Sequence, residues 1–171
     1  RELEGTARIL AETSGMGDFL VALRDIGARR ETEDRIRLQG AALEAAANAI
    51  VITDRSGAIT WVNAAFLRVS GYTRDEVVGH STRILQSGVH DETYYARLWA
   101  TILAGDVWSG EVVNRRKDGT LYTEEMTITP VRDERGEIAH FIAIKRDVTA
   151  QKLLEAEFHQ SQKMESVGRL T

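Results

Sequence analysis

The spacing of polar and apolar positions changes several times along the chain, and each change predicts a different element. From Arg1 to about Ile26, two extended runs flank the glycine-punctuated "SGMGD", and "FLVAL" from Phe19 is the continuous apolar run of a buried strand. From Ala28 to about Asn48 the chain becomes charged and alanine-rich. There Ile36, Leu43 and Ile50 fall seven apart, which suits either a helix with a coiled-coil-like seam or an amphipathic helix lying on its own domain. "AIVITD", "RSG" and "AITWVN" read as strand, turn and strand, rich in β-branched residues. Thr73 and Glu76 have capping-box spacing and place a helix start at Thr73. "DETYYARLWATILAG" is a longer helix, with Asp91 and Glu92 at its positive end and Gly105 as its C-terminal cap. Its inward face carries Tyr95, Leu98, Trp99 and Ile102. "WSGEVVNRRK", "LYTEEMTITPV" and "IAHFIAIKRDV" are strands joined by the Asp-Gly hairpin signal "KDGT" and the turn-rich "RDERGE". The final 22 residues, from Ala150, are again helical and amphipathic.

Two strands, a helical middle and three hairpin-linked strands define an α+β domain built on one five-stranded antiparallel sheet, with helices on one face. A repeat sets the boundaries. "FLVALRDIGARRETE" at Phe19 is echoed by "FIAIKRDVTAQKLLE" at Phe141 with a constant offset, as tandem domains would give. Eighteen residues precede the first copy, too few to bury a core. The expected organisation is therefore the C-terminal strands of a preceding domain at 1–27, a linker helix at 28–48, a complete domain at 49–149 and an exit helix at 150–171.

Composition narrows the chemistry. The 171 residues are 43% hydrophobic and 28% charged, with a net charge of −4 and no concentrated basic block, so no nucleic-acid partner is expected. Cysteine is absent, which removes disulfides, thiolate metal sites and cysteine photochemistry. No apolar run approaches the ~20 residues of a membrane span, so this segment is expected to make no membrane contact and to be cytoplasmic. No metal-ligand spacing and no constellation of nucleophile, base and acid is present, so no catalytic residue is expected.

"IVITDRSGAITWVNAAFLRVSGYTRDEVVG" followed by "WSGEVVNRRKDGTLYTEEMTITPVRDERGEIAHFIAIKRDVT" resembles a PAS domain of the flavin-binding, LOV-like branch, over about Ala45 to Ala150. The echoed Asp-Ile-Gly at Asp25 resembles the exit of a preceding PAS domain. Such domains sense by holding a small molecule between sheet and helices, or relay strain through helical linkers. Where LOV photosensors carry Asn-Cys-Arg-x-Leu-Gln, this chain reads "STRILQ": Ser81 takes the asparagine place and Thr82 the cysteine place. A hydroxyl forms no flavin thioether. Arg83 and Gln86 still match the positions that hold flavin phosphate and orient the helix.

The likeness is closer to cysteine-free PAS domains that hold FAD as a redox sensor. It implies FAD or FMN as cofactor, with Asn114 hydrogen-bonding the polar edge of the isoalloxazine ring. An amide suits that edge because it both donates and accepts. Trp99 matches an aromatic that lies against the flavin; plain core packing with Tyr95 is its other reading. The second ring-contacting asparagine of LOV domains is replaced by Glu124, and the glutamine of the last strand by Lys145. These two either pair with each other, or tune a flavin through local charge, or face solvent. Haem is not expected: none of His80, His90, His140 and His159 lies on the inward face of the long helix, and His90 reads as a cap or a solvated residue.

"HQSQKMESVGRLT" resembles the approach to the dimerisation helix of a sensor histidine kinase, with a coiled-coil linker to another output, such as a cyclase, as the other reading. Pairing buries the apolar stripe of an amphipathic helix, so a homodimer through the flanking helices is expected, with kinase domains downstream in the same chain. The expected function is a flavin-loaded sensor of two-component signalling; the alternative is a ligand-free PAS relay.

Overall fold

The structure, a computed structural model, describes residues 16–169. The chain divides into two units, Arg1–Leu43 and Glu44–Thr171. In the first, helix α1 begins at Met16 and runs to Ala45. Ion pairs one turn apart, Arg29–Glu33 at 3.0 Å and Arg37–Asp34 at 2.9 Å, lie along it, and Ile36 and Leu38 are exposed. The strand expected at Phe19–Leu23 is thus replaced by helix; the residues before Met16 lie outside the described part. The reason is hydrogen bonding. A strand needs neighbours to satisfy its backbone and is marginal without a sheet, whereas a helix satisfies itself, and the alanine, arginine and glutamate that follow propagate it.

The second unit is one antiparallel sheet: β1 (Ala49–Asp54), β2 (Ile59–Val62), β3 (Trp108–Arg115), β4 (Leu121–Arg132) and β5 (Ile138–Asp147), in the order β2-β1-β5-β4-β3. Between β2 and β3 come the short helices α2 (Ala64–Ser70) and α3 (Arg74–Val77), a 3-10 turn (Thr82–Leu85) and α4 (Glu92–Ala104); α5 (Thr149–Gly168) follows β5. The expected α+β class is what forms. The third residue of the predicted seam, Ile50, does not continue a helix: it lies buried in β1, paired with Ile144 of β5.

Local chemistry explains the joints. Asn63 is fully buried and caps α2: its Oδ1 accepts from the N–H groups of Phe66 (3.0 Å) and Ile50 (2.9 Å), while its Nδ2 donates to Asn48 O (3.0 Å). At α3 the Glu76 carboxylate reaches back to the Thr73 N–H at 2.9 Å, as the capping-box spacing predicts. Asp91 caps α4 through the Tyr94 N–H, and Gly105 ends it at φ +95°. Pro130, the chain's one proline, sits on β4 past the last β3 pair, Trp108 with Ile128, where that side of β4 needs no donor. The core joins Val51, Ile59, Val62, Phe66, Val77 and Leu85 near β1 and β2 to Leu98, Ile102, Val112, Met126, Ile128 and Phe141 under α4, with Ala143 packed against both sets.

Candidate functional site

Alternation along the strands sends Val112 and Asn114 of β3, Tyr122, Glu124, Met126 and Ile128 of β4, and Lys145 of β5 to the buried face. Register then decides which of them meet. Val112 pairs with Glu124, Asn114 with Tyr122 and Met126 with Lys145, so Glu124 lies diagonally between Asn114 and Lys145. One carboxylate oxygen, Glu124 Oε1, accepts from Asn114 Nδ2 and from Lys145 Nζ, each at 2.7 Å. Glu124 is 1% exposed, Asn114 4% and Lys145 6%. A charge pair this deep loses hydration that only mutual attraction and further hydrogen bonds offset. The Tyr122 hydroxyl is pushed well above the ordinary phenol range by burial first and then by the Glu124 carboxylate; the Arg116 guanidinium, 4.3 Å from the ring centre, opposes the shift.

Above this cluster is a cavity of about 80 Å³ between the sheet, α4 and the 3-10 turn. Its walls are largely apolar, formed by Val51, Leu98, Ile102, Met126, Ile128 and Phe141, with Asn114 and Lys145 as its polar end and Thr82, Arg83 and Gln86 on the side of the turn. Trp99 meets Phe141 edge to face, centroids 5.9 Å apart. Its ring also lies over Gly57, where a Cβ would come within 2.7 Å of Cη2; the φ of +86° there also favours glycine. Trp99 therefore packs in the core, and it also lines the cavity.

Of the predicted site residues, Trp99, Thr82, Arg83, Gln86, Asn114 and Lys145 share one cavity, and Glu124 anchors its polar end from behind. Of the three fates open to Glu124 and Lys145, mutual pairing is the one observed. Ser81 stands apart: it is exposed and caps the 3-10 turn, its Oγ accepting from the Arg83 N–H at 3.3 Å. His90 is neither cap nor solvated. Its Nε2 accepts from the Val113 N–H at 2.9 Å and its ring stacks on Tyr94 at 4.1 Å, while Ser87 Oγ donates to Val113 O at 2.5 Å. β3 is an edge strand, so its backbone takes partners from the loop before α4; that need for edge partners was the available signal. The Tyr95 hydroxyl, whose lack of a partner the sequence did not show, is buried beside the cavity with no hydrogen-bond partner among the described residues. No cluster of metal-ligating side chains occurs among the described residues.

In kind, the lining fits a flat, aromatic ligand with a polar edge such as a flavin: an indole face, apolar walls, and amide and ammonium groups that keep further N–H donors beyond those given to Glu124. In size, the cavity is below the ~300–1,000 Å³ usual for ligand pockets. A three-ring ligand therefore requires α4 and the turn to stand further from the sheet.

Residues 47–150 match the family described as "PAS domain". The chain is 35% identical over 113 residues to a nitrogen fixation regulatory protein of Klebsiella pneumoniae, covering 66% of this chain and 23% of that protein. It thus spans about a quarter of that relative's length. Among solved structures it is similar to an RNA-binding Light-Oxygen-Voltage receptor, with a TM-score of 0.65 and 27% identity over 77% of this chain and 38% of that one. It is also similar to the LOV domain of a blue-light activated histidine kinase from Erythrobacter litoralis, with a TM-score of 0.55 and 28% identity over 60% and 96% of the two chains. LOV domains are thus among its structural neighbours, and with more than half of its residues inside the family match the chain belongs to the PAS domain family.

Proposed function

We propose that this PAS domain holds a flavin, FAD or FMN, in the cavity over Glu124 and passes its state to a histidine kinase domain of the same chain, as a cytoplasmic homodimer. The observation that carries this reading is the buried Asn114–Glu124–Lys145 cluster at the polar end of a cavity roofed by Trp99. Asn114 and Lys145 would hold the ring's polar edge, Trp99 its face, and Arg83 and Gln86 the phosphate-bearing tail at the turn. A bound flavin supplies reversible electron uptake and blue absorption. Thr82 stands at the turn where LOV photosensors carry cysteine, and this chain has no cysteine, so light leaves no thioether on this protein. An absorbance spectrum of the purified protein tests the reading: flavin bands near 450 nm are expected. Colourless protein that takes up neither FAD nor FMN on refolding overturns it.

The dimer is supported by Leu153, Leu154, Phe158, Met164 and Val167 of α5, all more than 60% exposed, and by Ile36 and Leu43 on α1. Sedimentation should show a dimer, and a monomer at high concentration would refute it. In the full-length parent, one residue inserted near Glu157 rotates the output by about 100° and disturbs kinase regulation, whereas seven largely restore it. A ligand-free relay is the second reading, favoured by the small cavity and by the engagement of Asn114 and Lys145 with Glu124. Colourless protein that still dimerises and regulates the kinase would support it.

A further inference from the structure

The buried hydroxyl of Tyr95 has no hydrogen-bond partner among the described residues. Its neighbour Tyr94 does have one, donating to Glu111 O at 2.5 Å. Buried polar groups in folded proteins are almost always paired, because leaving one unpaired forfeits its hydrogen bonds to water without replacement. Tyr95 nevertheless borders the cavity, on α4 one turn before Trp99, so hydroxyl and indole belong to the same helix face. Asn114 and Lys145 border the same space from the sheet, and Glu124 behind them is engaged by both. Burial first, then Tyr94 and the Glu124 carboxylate, push the Tyr95 phenol above its ordinary range, so at neutral pH it keeps its proton and acts as a donor.

We propose that Tyr95 is a ligand-binding residue of this cavity: its hydroxyl donates a hydrogen bond to an acceptor atom, a carbonyl oxygen or a ring nitrogen, of a flat heteroaromatic ligand lying against Trp99. The proposal rests on the flavin reading for the identity of that ligand, but the open donor is a property of the cavity itself. It gives Tyr95 a role that packing does not require, because phenylalanine would fill the same volume. It also predicts opposite signs for two measurements on one variant. Without ligand, Tyr95→Phe removes an unsatisfied group and should melt at or above the wild-type temperature. With ligand, it removes a donor and should bind about 3- to 10-fold more weakly, the range a single neutral hydrogen bond gives.

The experiment is a fluorescence titration of wild-type and Tyr95→Phe apoprotein with FMN and FAD, beside calorimetric melting of both ligand-free proteins. Protein labelled with 3-fluorotyrosine, its Tyr95 resonance assigned from the variant, gives a third readout: that resonance should move on binding. If Tyr95→Phe binds as tightly as wild type, or if it melts lower without ligand, the hydroxyl has an internal partner and the proposal is overturned. If wild type takes up neither flavin, the flavin reading fails by itself. The fluorine experiment then continues with smaller flat carbonyl heterocycles, lumichrome and uracil, and a Tyr95 resonance that moves with neither overturns the inference too.

Discussion

Removing the ammonium from the buried cluster tests the energetics of the site most directly. Lys145→Met keeps the length and apolar body of the side chain but leaves the Glu124 carboxylate, 1% exposed, without its cation at 2.7 Å. Breaking a buried pair from one side costs about 3–5 kcal/mol, because the surviving charge stays out of water. Asn114 still donates to the same oxygen at 2.7 Å, and a hydrogen bond to a charged group contributes roughly 1.5–3 kcal/mol, so the lower end, about 3 kcal/mol, is expected. Glu124→Gln removes the opposite charge and should cost a similar amount. The double variant leaves no uncompensated charge, and its stability should return to within about 1 kcal/mol of wild type, since well-packed neutral replacements of buried pairs are often neutral. The assay is urea unfolding of the ligand-free protein followed by circular dichroism, with the four proteins compared as a cycle at constant m. A Lys145→Met cost below about 1 kcal/mol, or two single losses that simply add in the double variant, would show that the pair is solvated or uncoupled.

Gly57→Ala should destabilise by about 1–3 kcal/mol and alter near-ultraviolet dichroism, because the new methyl meets the Trp99 ring and the φ of +86° disfavours it; an unchanged aromatic spectrum would contradict the close approach. Asn63→Ala removes a helix cap and the partners of Ile50 N–H and Asn48 O together, for an expected loss of about 2–4 kcal/mol in the same urea assay. Acid should act through Glu76, whose carboxyl the Lys117 ammonium and the Thr73 amide hold down to about 2. A depressed carboxyl contributes stability in full above its ordinary value of 4.5 and loses it as pH falls towards about 2. Lys117→Met should therefore flatten the decline in melting temperature across that interval, and an unchanged decline would refute the assignment.

The sheet was legible because its strands alternate or run apolar between strong turn signals, and because Thr73, Asp91 and Gly105 punctuate the helices by local chemistry alone. What local pattern cannot carry is context. Phe19 and Phe141 open nearly the same string, yet Phe141 lies in β5 between β1 and β4, whereas Phe19 falls within α1, where no neighbouring strand is paired to it. Ile50 fits a heptad on paper, but Asn63 fastens the backbone at Asn48 and Ile50 and ends the helical path. Glu124 and Lys145 were named as a pair with three possible fates, because sequence gives the face on which each lies and only cross-strand register says that they touch. The roles of His90 and Tyr95 depend on a loop meeting an edge strand and on which hydroxyl is left unanswered, and neither leaves a periodic trace.

The same register that builds the cluster also ties it to α5. Thr123 lies between Tyr122 and Glu124 on β4, and its N–H donates to Thr149 Oγ1 at 2.9 Å while its carbonyl accepts from the Val148 N–H at 2.9 Å. The first turn of α5 is thus fastened to the strand that carries Glu124. A second tie runs through Tyr122, whose ring is covered by Arg116; Arg116 also donates to Val69 O and to Asp147 Oδ2, the latter at 2.6 Å. Asp147 in turn accepts from the Thr149 N–H at 3.0 Å and from its hydroxyl at 2.6 Å. Although burial opposes it, these bonds to Thr149 and Arg116 keep the Asp147 carboxyl below its ordinary range, so the tie stays charged at neutral pH. A ligand that draws Asn114 or Lys145 away from Glu124 must change the balance of forces on β4 at that point. Because both ties are short and polar, β4 cannot shift there without straining them, and relief comes most cheaply where the chain has few other constraints. No residue of α5 is buried and its further tie to the sheet is the exposed Lys152–Glu111 ion pair, so on the function proposed above the helix is where such strain would be relieved.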